Sequence, residues 1–148
     1  MDFKRFAPYA PAVDRKRWES LPADFRKEIT QAGEEILPCT YPMLPATKYM
    51  EFCRIGNRSD YEELYFGRRR VLNTLILAEC AEGRGRFLDD IVNGIMAICE
   101  ESGWQLPAHN NYMWSRHYSL PDITDPVLDL FAAETGAQHL SFHYKKNR

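Results

Sequence analysis

The residues best suited to chemistry gather in one connector, 102–112, which reads SGWQLPAHNNY. His109 can take or give a proton near neutral pH. Asn110 and Asn111 can both donate and accept hydrogen bonds. Trp104, Tyr112 and, just beyond, Trp114 offer flat apolar faces with a polar edge, which suit the CH-rich faces of sugar rings as well as many other ligands. Arg116 and His117 add cationic groups for an anion. His109 and Tyr112 are therefore the candidates for acid–base work, and Trp104, His109, Asn110, Asn111, Tyr112, Trp114 and Arg116 the candidates for contact with a ligand. The same residues could instead make a packed loop, with Trp104 and Leu106 plugging helix ends and the asparagines capping turns. Composition alone leaves both readings open.

A second group of polar residues lies on apolar faces. Glu79 follows Leu75 and Ile76 at helical spacing, and Glu134 follows Leu130 and Phe131 in the same way, so both carboxylates are expected to point inward. A buried carboxylate needs a partner. Arg54, Arg58 and the run Arg68-Arg69-Arg70 can supply one, which favours structural ion pairs over a catalytic acid. No metal site is expected: His139 and His143, four apart, could share a metal, but there is no HExxH and an exposed pair is the favoured reading. The four cysteines, Cys39, Cys53, Cys80 and Cys99, form no CxxC and read as reduced thiols, with Cys80 and Cys99 on apolar stripes. Gly83-Arg84-Gly85-Arg86 matches neither a phosphate-binding loop nor a dinucleotide fingerprint, and no GxSxG is present, so no cofactor is expected.

Helices must position these groups. Residues 1–12 read as an irregular arm, interrupted by Pro8 and Pro11. A short helix is expected over 14–20. A second begins at Pro22 and carries Phe25, Ile29, Ala32, Ile36 and Leu37 at helical spacing. Pro38, Pro42 and Pro45 then impose an extended connector. Thr47 is expected to cap a third helix that Gly56 ends. Ser59 with Glu62 has the pattern of a capping box and opens a long helix over 60–81. Gly83 and Gly85 turn the chain into an antiparallel neighbour over 87–101, with Phe87, Ile91, Ile95 and Ile98 on one face. A last helix is expected from Asp125 as cap and Pro126 as first residue, with Val127, Leu130 and Phe131 inward. No stretch alternates as a strand would. The fold class is all-α, a single unit over 1–148 built from antiparallel helical hairpins.

With 148 residues, 45% hydrophobic and 27% charged, the chain is globular in composition. A formal net charge of -2 gives no sign of nucleic-acid binding. No window has the ~18 apolar residues needed to span a bilayer, and residues 1–18 lack the apolar core of a signal peptide. The expected compartment is the cytoplasm.

Four segments taken together resemble the N-terminal region of heparinase II/III-like proteins, a polysaccharide lyase superfamily. They are YMEFCRIGNRSDYEELYFGRRRVLNTLILAEC (49–80), GRFLDDIVNGIMAICEESGWQLPAHNN (85–111), LPDITDP (120–126) and LDLFAAETGA (128–137). The similarity runs from about Trp18 onward, and the pairing of the 98–110 segment with 129–137 is its most specific part. The resemblance implies the beginning of an incomplete (α/α) toroid that a β-sandwich domain follows.

Such lyases cleave uronate-containing polysaccharides by β-elimination. The uronate carboxylate is neutralised, a base removes the C5 proton, and an acid protonates the departing O4 oxygen. In the family the catalytic Asn and Tyr come from later toroid helices and a further His from the sheet domain. None of the 148 residues matches those motifs. The resemblance carries His109, Asn110 and Asn111 over only as a loop lining the cleft. The implied ligand is an acidic polysaccharide or oligosaccharide, the chain alone is expected to be inactive as a lyase, and uncovered apolar helix faces are expected to favour self-association. The alternative is a stand-alone helical module that binds carbohydrate or protein without catalysis.

Overall fold

The computed structural model describes residues 10–110 and 119–141. Every regular element among them is helical: α1 (Arg15–Glu19), α2 (Ala23–Ile36), α3 (Ala46–Ile55), α4 (Ser59–Glu82), α5 (Leu88–Cys99), a 3-10 turn (Pro107–His109) and α6 (Leu130–Ser141). None of them is long and apolar enough to cross a membrane.

The longest helix, α4, is the axis of the molecule. It buries residues on several sides, including Tyr61, Tyr65, Leu72, Leu75, Ala78 and Cys80. A helix buried around much of its girth must be covered by several neighbours. Along its C-terminal half, Leu72, Leu75 and Ala78 form one core with Phe87, Ile91 and Ile98, flanked by Ile36, Leu37 and Trp104. Along its N-terminal half, Tyr61 and Tyr65 pack with Tyr49 and Leu106, next to Phe131. The hairpin α4–α5 is antiparallel: Glu79 bonds the amides of Gly85 and Phe87 at one end, and Arg68 reaches the Ala97 carbonyl at the other. Gly83 ends α4 at φ 72°, a conformation that costs a residue with a Cβ. A second close approach joins α2 to α4. A Cβ on Gly33 would lie 2.4 Å from the Ala78 Cβ, so only glycine lets the two helices touch there.

Several helix starts differ from expectation. Pro45, not Thr47, precedes α3, and no side chain caps it. Ser59 is the first helical residue of α4 rather than its cap; the Glu62 carboxylate turns to Arg58 at 2.8 Å, so the capping box does not form. The last helix begins at Leu130, not Pro126. Upstream, the Asp122 carboxylate folds the chain into a turn by accepting from the amide (2.8 Å) and hydroxyl (2.7 Å) of Thr124. Asp129 Oδ1 then accepts from the Ala132 amide at 2.7 Å, which caps α6. Ala132 and Thr135 are buried and Phe131 packs inward, whereas Leu130 is 74% exposed. Cys80 is buried as expected, but Cys99 is exposed.

Candidate functional site

The connector is pinned to the scaffold by a buried polar network. Tyr65, in the middle of α4, donates its hydroxyl proton to the Trp104 carbonyl at 2.7 Å. The same turn of α4 also sends two consecutive arginines inward. Arg69 binds the Glu101 carboxylate through Nη2 at 2.8 Å, and Arg68 binds it through Nη1 at 3.2 Å. The three side chains are only 4–10% exposed. Arg69 also donates from Nε to the Thr135 hydroxyl at 2.9 Å, and its guanidinium lies 3.3 Å over the Tyr65 ring. Arg68 Nε donates to the Pro42 carbonyl at 2.6 Å. Glu101 thus ties the 42 region, α4, the end of α5 and α6 together at the root of the connector. Two cations against one anion leave this buried cluster with an excess positive charge.

The expected ion pairs are therefore misplaced. Glu79 is buried, 2% exposed, but its partners are the backbone amides of Gly85 (2.7 Å) and Phe87 (3.4 Å) rather than an arginine. It satisfies the start of the α5 turn, where helix amides have no intrahelical acceptor. Glu134 is exposed, because the face of α6 that packs inward runs through Ala132 and Thr135. Arg54 is exposed and reaches only the Met50 sulfur at 3.7 Å; Arg58 pairs with Glu62 one turn along the same helix. The buried pair instead uses Arg68, Arg69 and Glu101.

His109 closes the 3-10 turn that follows Leu106. Its Nδ1 lies 2.7 Å from Asp129 Oδ2, and its ring stacks on Phe131 with centroids 5.9 Å apart and planes at 9°. The imidazole is 40% exposed while the Asp129 side chain is 7% exposed. Asp129 also accepts from the Leu106 amide at 3.0 Å. One carboxylate thus holds the loop amide, the imidazole and the cap of α6. Asn110 is buried, and its Nδ2 donates to the Leu120 carbonyl at 3.0 Å. Trp104 donates from Nε1 to the Ile98 carbonyl at 3.0 Å and packs against the core. Both fasten the connector, and Trp104 is half-buried. Asn111, Tyr112, Trp114, Arg116 and His117 lie outside the described residues, as do the side chains of His139 and His143.

Beside the connector is a hollow of about 370 Å³, lined by Tyr49, Tyr61, Arg68, Glu101, Gly103 and Leu120 among others. Burial pushes the hydroxyls of Tyr49 and Tyr61 well above the usual tyrosine range. Tyr65 is pushed up by burial too, against the opposing pull of its Thr135 hydrogen bond. All three stay protonated at neutral pH. The buried Tyr49 hydroxyl has no hydrogen-bond partner among the described residues. A smaller hollow of about 180 Å³ is lined by Tyr65, Phe66, Arg69, Phe131 and Thr135, so Phe131 stands between it and the imidazole. His109 lines neither hollow. Among the described residues no three His, Cys, Asp or Glu side chains come together to hold a metal ion.

Asp129 and Glu101 are the buried neighbours of the connector that sequence spacing missed. Compared with known proteins, the chain matches no family model and no curated protein.

Proposed function

We propose that this chain forms part of the wall of a carbohydrate-binding cleft in a heparinase II/III-like lyase, with connector 102–112 facing an acidic polysaccharide. The observation that supports this best is the fixing of His109. A half-exposed imidazole is held by a 7% exposed carboxylate and stacked on Phe131, at the rim of a helical scaffold. A side chain held this firmly yet left open to solvent suits ligand contact more than core packing. The hollow of about 370 Å³ at the root of the connector, which His109 does not line, joins apolar walls with Tyr49, Tyr61, Arg68, Glu100 and Glu101, a mix that suits a sugar-sized ligand. The acidic character of the ligand comes from the family resemblance alone, since the hollow sets Glu100 and Glu101 against Arg68.

In this reading the chain supplies binding and orientation, while the base and the carboxylate-neutralising groups of β-elimination come from residues outside these 148. Positioned acid–base groups contribute roughly 10²–10⁴-fold to such a reaction. The purified chain, incubated with heparan sulfate, hyaluronan, chondroitin or alginate oligosaccharides, should release no unsaturated uronate detectable by ultraviolet absorbance. Sustained turnover would place the whole catalytic set within this chain and contradict the division of labour.

The same reading extends to association. Val92 and Met96, one turn apart on α5, are 55% and 53% exposed and would be covered by a further helix of a toroid. No specific observation favours the stand-alone binding module over this arrangement.

A further inference from the structure

We propose that Asp129 locks His109 in the tautomer that carries its proton on Nδ1, which makes the outward Nε2 a dedicated acceptor for a hydroxyl proton of the bound carbohydrate. Asp129 is then a positioning residue, and His109 the group that meets the ligand. The carbohydrate reading above supplies only the identity of that ligand; the lock rests on geometry alone.

The carboxylate of Asp129 accepts hydrogen bonds, and both of its oxygens are engaged. Oδ1 takes the Ala132 amide at 2.7 Å, while Oδ2 takes the Leu106 amide at 3.0 Å and faces His109 Nδ1 at 2.7 Å. At that separation two acceptors would repel, so Nδ1 must bear the hydrogen and donate it. A neutral imidazole has one proton to place, and its other nitrogen is left with a lone pair. Among the described residues Nε2 has no hydrogen-bond partner, and the ring is 40% exposed. Stacking on Phe131 at 9° fixes the ring plane, so the lone pair keeps one direction. The carboxylate itself is held by two backbone amides, one from the 3-10 turn and one from α6. The acceptor is therefore preorganised by two elements rather than by a side chain free to turn. Sugars are dense in hydroxyl donors, and a lone pair of fixed direction selects among them.

His109→Asn separates holding from meeting. An asparagine amide nitrogen occupies the place of Nδ1 and can still donate to Asp129, but nothing remains at the place of Nε2. Nitrogen-15 NMR of the histidine ring, assigned by the signal that His109→Asn removes, should show a protonated Nδ1 and a lone-pair Nε2 in the neutral ring. Asp129→Ala should abolish that preference; since it also uncaps α6, the wild-type spectrum and His109→Asn carry the test. His109→Asn should unfold at the wild-type temperature to within a few degrees, yet bind uronate oligosaccharides about tenfold more weakly, the value of one hydrogen bond. His109→Gln, whose amide reaches the Nε2 position, should recover part of that loss. A protonated Nε2 in the neutral wild-type ring would overturn the lock. Unchanged binding by His109→Asn would overturn the acceptor role and leave His109 a structural residue. A locked tautomer in a chain that binds none of the oligosaccharides would overturn the carbohydrate ligand while the lock stands.

Discussion

Replacing Glu101 by alanine should cost the fold about 3–5 kcal/mol, since two guanidinium groups would lose their buried counter-ion at once. The Glu101 side chain is 4% exposed and binds Arg68 and Arg69 at 3.2 and 2.8 Å. Removing it leaves two cations facing each other where water reaches them poorly. Neither can escape easily: Arg68 is anchored to the carbonyls of Pro42 and Ala97, and Arg69 to Thr135 and the Tyr65 ring. Urea denaturation reads the loss as a lower midpoint. Replacing all three members by apolar residues of similar size should recover much of the stability, because the expense of desolvating the ions disappears with them. A loss below about 1 kcal/mol for Glu101→Ala would mean that the cluster behaves like a solvated surface pair.

Phe87→Ala should be nearly as severe, at about 3–5 kcal/mol by the same measurement. The ring is fully buried and stands at the one point where α2, α4 and the start of α5 converge. Its ring carbons lie 3.2 Å from where a Cβ on Gly33 would be, so the void left by alanine opens directly onto the α2–α4 contact. That contact cannot easily close further, because Gly33 already admits Ala78 at its limit. The neighbouring Arg86, which bridges Glu34 and Glu82 on the surface, is the internal control. Arg86→Ala should leave the urea midpoint close to that of the wild type. Equal losses at the two positions would deny Phe87 its place at the centre of the core.

The helices were legible because their signals are local. Gly56 and Gly83 stop α3 and α4 where a left-handed residue is needed, at φ 76° and 72°. Phe87, Ile91 and Ile98 repeat at the helical period and are all buried. The buried acid was not legible for the opposite reason. Periodicity says which residues share a face, but not which face meets which neighbour. Glu79 lies on the right face and finds two amides there. Glu101 lies just beyond the last turn of α5, where the helical period no longer applies, and it finds the arginines. Asp129 was hidden by a better-looking competitor. Asp125-Pro126 has the pattern of a helix start, but the Asp122–Thr124 turn holds that stretch out of the helix and leaves capping to Asp129. On α6, Glu134 faces the surface and Thr135 the Arg69 guanidinium. Trp104 and Asn110 were expected at a ligand on residue type alone, and periodicity gave no sign of the hydrogen bonds by which they fasten the loop that carries His109.

The central claim is that this loop and its supports meet an acidic carbohydrate. Amide shift mapping by NMR, during titration of the 148-residue chain with uronate oligosaccharides, tests it most directly. Residues 102–110 and 129–135 should shift together and saturably, and a neutral malto-oligosaccharide of equal length should leave them unmoved. Shifts confined to the groove between α2 and the end of α4, lined by Arg26, Lys27, Gln31 and Arg84, or no shifts at all, would contradict the account.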